Sequence, residues 1–149
     1  MHPRFRLTFL AVATLVLIVP LAACGSSGTT VAVTLQEWSI SADKTSVPAG
    51  SVTFNATNNG PDAAHEMVLL KTDIAPGDLP TDSTGKADEE ADGVTNMGEI
   101  TDLAVGADGT LTVDLTAGNY ILVCNIVDTN AGQTQAHYML GMRMAFTVQ

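Results

Sequence analysis

Apolar and polar residues alternate along this chain in several short runs separated by turn-forming residues. Val52, Phe54 and Ala56 alternate with Thr53, Asn55 and Thr57. Leu111, Val113 and Leu115 alternate with Thr110, Thr112, Asp114 and Thr116. Met142, Met144, Phe146 and Val148 alternate with Arg143, Ala145, Thr147 and Gln149. A period of two sends one set of side chains to a core face and the other to solvent, so each run predicts a half-buried strand. Val31 to Trp38 is rich in β-formers and predicts another. Met67 to Leu70 is continuously apolar, the pattern of a strand buried on both faces. Tyr120 to Val123 runs apolar into Cys124. Pro48-Ala49-Gly50, Asn58-Asn59-Gly60-Pro61-Asp62 and Ala117-Gly118-Asn119 supply turns between the runs. Short strands, frequent turns and no long helical period predict an all-β sandwich.

Thr72 to Asp108 departs from this pattern. It is rich in Asp, Gly, Pro and Thr and contains Asp88, Glu89, Glu90 and Asp92. A calcium loop needs acids at alternating positions and a closing Glu. That spacing is absent, so the stretch is expected to be a solvated acidic insertion with at most a short helical turn.

The first residues have another character. Arg4 and Arg6 precede Leu7 to Ala22, a run of 16 residues interrupted only by Thr8, Thr14 and Pro20. This is the shape of an export signal, and it is short of the roughly 20 residues that span a bilayer. Leu21-Ala22-Ala23-Cys24 resembles a bacterial lipobox. The resemblance implies cleavage after residue 23, lipid on the Cys24 thiol, and a flexible tether through Thr30. The expected organisation is a signal peptide over 1–23, the lipidated cysteine and tether over 24–30, and one domain over 31–149. Localisation would be exported, lipid-anchored at the cell membrane on its periplasmic or extracellular face.

Removing 23 residues from 149 leaves 126, an ordinary size for one domain. Its basic residues would be Lys44, Lys71, Lys86 and Arg143 against 16 acids, a net charge of −12. Such a surface repels nucleic acid and anionic headgroups and favours a basic protein partner. Membrane attachment would therefore come from the lipid rather than the surface charge.

Exported proteins usually pair their cysteines. With Cys24 lipidated, Cys124 has no partner, which points to a ligating or reactive thiol or an intermolecular pair. His2 falls in the cleaved segment, leaving His65 and His137 as the mature imidazoles. In chain order the candidates are His65, Cys124, His137 and Met142, each at a strand–loop junction. Two imidazoles, a thiolate and a weak axial thioether suit one mononuclear copper ion cycling between Cu(I) and Cu(II).

These segments resemble the cupredoxins, the blue (type 1) copper family that includes plastocyanin and sulfocyanin. Asn58-Asn59-Gly60 through His65-Glu66-Met67-Val68 is similar to the segment around that family's first histidine. Gly118-Asn119-Tyr120-Ile121-Leu122-Val123-Cys124 resembles its G-x-Y-x-x-x-C strand. His137-Tyr138-Met139-Leu140-Gly141-Met142 resembles its H-x-x-x-G-M ending. The resemblance covers Val31 to Gln149 and implies a Greek-key β-sandwich with an acidic loop insertion. It also implies His65, Cys124 and His137 as equatorial ligands and Met142 as the axial one. Met139 and Met144 are rivals for the axial place; alternation along the last strand favours Met142. The chain departs from the family in two respects. Twelve residues, Asn125 to Ala136, separate Cys124 from His137, and Glu66 stands where some members carry an amide that ties ligand loops together.

The function implied is electron transfer, with His137 as the electron port. The partner would be a basic redox protein such as a c-type cytochrome or an oxidase donor domain. A copper-binding module for delivery or sequestration would use the same ligands without sustained redox cycling. A metal-free interaction domain would leave the four-ligand set unexplained. Enzymatic chemistry is not expected: there is no second metal set, and both histidines are taken by the metal.

Overall fold

A computed structural model of the protein describes residues 28–130 and 133–149. The signal segment and Cys24 lie outside the described residues. Eleven strands and one helical turn follow in order: β1 (Thr29–Gln36), β2 (Ser39–Ala42), β3 (Ser46–Val47), β4 (Gly50–Asn58), β5 (His65–Lys71), β6 (Thr95–Leu103), β7 (Asp108–Leu115), β8 (Gly118–Val123), β9 (Val127–Asn130), β10 (Gln133–Ala136), α1 (His137–Leu140) and β11 (Arg143–Val148). The strand expected from Val31 starts two residues earlier, and Thr29 and Thr30 already pair with Val52 and Thr53 of β4. Among the described residues no helix is long and apolar enough to cross a membrane.

The strands form two main sheets, ordered β2-β1-β4-β7 and β3-β11-β8-β5-β6, with β9 and β10 as a separate hairpin. The period-two pattern sets the packing. Val31, Val33 and Leu35 of β1 and Val52, Phe54 and Ala56 of β4 meet Met67, Leu69, Tyr120, Leu122, Phe146 and Val148 of the opposite sheet in one buried cluster. This is the core of a sandwich, whose facing sheets bury their alternate side chains together. Phe54 and Phe146 cross it edge to face, with ring centroids 5.3 Å apart.

The second sheet is buried on its outer face as well, as the apolar run Met67–Leu70 predicts. Val68, Leu70, Ile121 and Val123 pack there against Leu79, Ala87 and Tyr138. The acidic stretch is therefore not simply a solvated insertion. Its first part lays Leu79 and Ala87 across the sheet while its carboxylates, half-buried Glu89 excepted, are exposed, and Thr95–Leu103 within it is β6. Its turns do not include a helix.

Tyr138 pins this cover in place. Its hydroxyl donates to the Pro76 carbonyl at 2.8 Å and accepts the Leu79 N–H at 3.2 Å. Tyr138→Phe leaves both backbone groups without their partner and should cost about 1–3 kcal/mol. A denaturant midpoint unchanged from the parent would contradict this anchoring role.

Candidate metal centre

Four chain segments converge at one end of the sandwich. His65 opens β5, Cys124 directly follows β8, His137 begins α1, and Met142 directly precedes β11. All four are fully buried. Backbone hydrogen bonds lock the segments to one another. The Cys124 N–H donates to the Met142 carbonyl, the Met142 N–H to the His137 carbonyl, and the His137 N–H to the Ile126 carbonyl. Gly141 ends α1 at φ 120°, a conformation that side chains rarely adopt, and this turn delivers Met142 next to Cys124.

The donor atoms face a common point. His65 Nδ1 and His137 Nδ1 are 3.2 Å apart, and Cys124 Sγ lies 3.3 Å from His137 Nδ1 and 3.9 Å from His65 Nδ1. A triangle with these edges has its centre about 2.0 Å from each corner. First-row metal bonds to imidazole run about 2.0–2.1 Å and to thiolate about 2.3 Å. The residues thus fit a small metal ion with two nitrogen donors and one sulfur.

The electrostatics fit a cation too. Burial pushes the Cys124 thiol up to about 11. Burial, together with the neighbouring His137, holds His65 below the usual histidine range. Both shifts favour the uncharged forms of these two groups. A metal cation supplies the positive charge that stabilises a thiolate there.

Around the donors lies a shell of polar contacts. The Glu66 N–H points at Cys124 Sγ at 3.4 Å, and Glu66 Oε1 accepts the Asn125 N–H at 2.9 Å. Glu66 therefore ties the two ligand segments together, the task an amide does in some cupredoxins. Burial raises its carboxyl above the usual range, against the pull of the Asn125 N–H. The Asn125 side chain extends the tie to the acidic stretch, donating to the Ala87 carbonyl and Glu89 Oε1 and accepting the Ala87 N–H. Asn58, also buried, donates to the Ala63 and Leu103 carbonyls and accepts the Gly60 N–H. It shapes the loop that leads into His65.

The outer nitrogens of the imidazoles face carboxylates. His137 Nε2 is 2.9 Å from Asp128 Oδ2. His65 Nε2 is 3.6 Å from Glu37 Oε1, beyond hydrogen-bond reach, and has no other partner among the described residues. Burial opposes ionisation of Glu37, but the N–H groups of Ala63 and Asp62 outweigh it and keep the carboxyl below its usual range. The Trp38 ring stands edge-on to His137 with centroids 4.7 Å apart.

His137, the residue implied as the electron port, is fully buried, and the long Cys124–His137 segment forms the β9–β10 hairpin that sets Asp128 against its outer nitrogen. Trp38 is 39% exposed, so an aromatic ring stands between His137 and solvent. Of the rival methionines, Met139 is 60% exposed, and Met144 is partly buried against the main core. Sequence reasoning did not find Glu37, Trp38, Asn58, Asn125 or Asp128. Only Asn58 carried a signal, as the first residue of the loop before His65.

A two-sheet sandwich with His65, Cys124 and His137 gathered at one end has a cupredoxin-like fold, and the solved structures it resembles include copper proteins. They include reduced auracyanin from the photosynthetic bacterium Roseiflexus castenholzii, at TM-score 0.51 and 22% identity over 83% of this chain and 98% of that one. Auracyanin A, a "blue" copper protein from Chloroflexus aurantiacus, gives TM-score 0.51 and 23% identity over 82% and 99%. Rusticyanin from Thiobacillus ferrooxidans gives TM-score 0.57 and 17% identity over 82% and 77%. No family model matches the chain, and a sequence search of curated proteins finds no match. Likeness at these identities establishes the fold alone; the chemistry lies in the donor cluster.

Proposed function

We propose that this protein is a mononuclear blue-copper electron-transfer protein, with His65, Cys124 and His137 as strong ligands and Met142 as the weak axial one. The observation that carries the reading is the convergence of two imidazole Nδ1 atoms and one thiol Sγ, all fully buried, within 4.8 Å of one another. Full burial and the backbone bonds of Met142 to both ligand segments favour Met142 over the exposed Met139 and the partly buried Met144.

Bound copper would supply a one-electron couple. The chain's part is to keep its donors still while charge changes. Each donor segment is fixed at a strand end, and Glu66, Asn125 and the Cys124–Met142 contact cross-link them. Burial excludes water that would otherwise rearrange around the ion. A redox site so constrained favours carriage of electrons over release of metal.

In the fuller reading, Cys24 carries a lipid that keeps the domain at the outer face of a bacterial membrane. The acidic domain would exchange electrons with a basic redox protein, such as a c-type cytochrome or an oxidase donor domain. Steering of this kind weakens as salt screens it. The association rate with a basic cytochrome should fall as ionic strength rises; a flat salt dependence would remove charge from the recognition. Metal retention tests the main reading. Repeated reduction and reoxidation with the copper retained is expected. Fast transfer of copper to a chelator would favour a delivery module instead.

A further inference from the structure

We infer that Asp128, carried on the β9–β10 hairpin, is a positioning residue that fixes the tautomer of His137 and favours the oxidised state of the metal site. The two imidazoles are not equivalent. His137 Nε2 has a carboxylate oxygen at 2.9 Å, whereas His65 Nε2 has no hydrogen-bond partner among the described residues. A carboxylate can only accept, so the nitrogen facing it carries the proton. This assignment leaves His137 Nδ1 as a bare lone pair aimed at Cys124 Sγ and His65 Nδ1, where a metal needs it.

The hairpin is what makes this contact. Asp128 pairs with Gln135 across β9 and β10, and its side chain is half exposed while the imidazole it touches is buried. The extra length between Cys124 and His137 therefore places a hydrogen-bonded negative charge one imidazole away from the donor cluster. A carboxylate on the outer nitrogen makes the ring a more basic ligand. Added basicity and added negative charge both favour the more positive oxidation state, so Asp128 should lower the reduction potential.

The potential readout rests on the copper reading, and the tautomer readout does not. With histidine labelled by nitrogen-15 in the full chain, metal-free, His137 should be protonated at Nε2. Asp128→Ala should lose that preference, and Asp128→Glu should restore it. In the copper-loaded full chain, Asp128→Ala should raise the potential by about 59 mV or more, a tenfold shift between oxidised and reduced forms. Asp128→Asn keeps an acceptor but not the charge, and should retain the tautomer while still raising the potential. Asp114→Asn is the control; Asp114 is exposed, on β7 opposite Ser51. A potential in Asp128→Ala no different from that control, or a wild-type His137 protonated at Nδ1, would overturn the assignment. A chain that binds no copper would instead sink the proposed function, while the metal-free tautomer would still decide the role of Asp128.

Discussion

Cys124→Ser is expected to abolish the intense visible absorption of the copper-loaded protein. That colour requires charge transfer from a thiolate to Cu(II). A serine hydroxyl is a hard donor that does not ionise under the same conditions, whereas the thiolate is the form in which cysteine binds metal. The substitution is close to isosteric and the new hydroxyl sits beside His137 Nδ1, where Sγ stands at 3.3 Å, so it has a hydrogen-bond partner. The fold should survive, as an unchanged far-ultraviolet circular dichroism spectrum would show. A mutant that kept the visible band would remove Cys124 from the site.

Phe54→Ala is expected to have the largest effect on stability. Phe54 is fully buried between the sheets and meets Phe146 edge to face. Truncation removes its burial and leaves a cavity between two rigid hydrogen-bonded layers that cannot close in. Phe→Ala at such positions costs about 3–5 kcal/mol. For a domain of this size that corresponds to a fall in Tm of roughly 10–20 °C. The metal-free protein is the one to melt, because metal binding adds its own stabilisation to the folded state. A loss under about 1 kcal/mol would mean that the sheets do not meet through this ring pair.

Much of this architecture was legible along the chain. β4, β7, β8 and β11 were readable because each faces a single core, or runs apolar into a ligand, for long enough to show its period. β6 was not. Its buried residues Ile100 and Leu103 are three apart, because irregular pairing with β5 interrupts the alternation. Asp102 adopts a positive φ of 53° and Gly98 one of 134° in the same strand. β2 and β3 span four and two residues, too few to show a period. β9 and β10 are polar and owe their existence to pairing with each other rather than to a buried face.

The donor set was legible for a different reason. Metal ligands are chosen by atom type, and a chain with so few imidazoles and thiols leaves little choice of partners. The supporting contacts were not legible, because Glu37, Asp128 and Asn125 are ordinary polar residues until the fold sets them beside a ligand. Their signal is spatial. The Asp128–His137 contact bridges nine positions, and Asn125–Ala87 bridges 38. The hairpin's place beside His137 was not legible for the same reason, since nothing in its polar sequence says that it folds back over the ring.

The central claim is that His65, Cys124 and His137 hold one copper ion. It is tested most directly by titrating Cu(II) into metal-free protein lacking the first 24 residues and recording the visible spectrum. A strong thiolate-to-copper band should grow linearly and stop at one equivalent. Absence of the band, with Cys124 shown to be reduced, would contradict it.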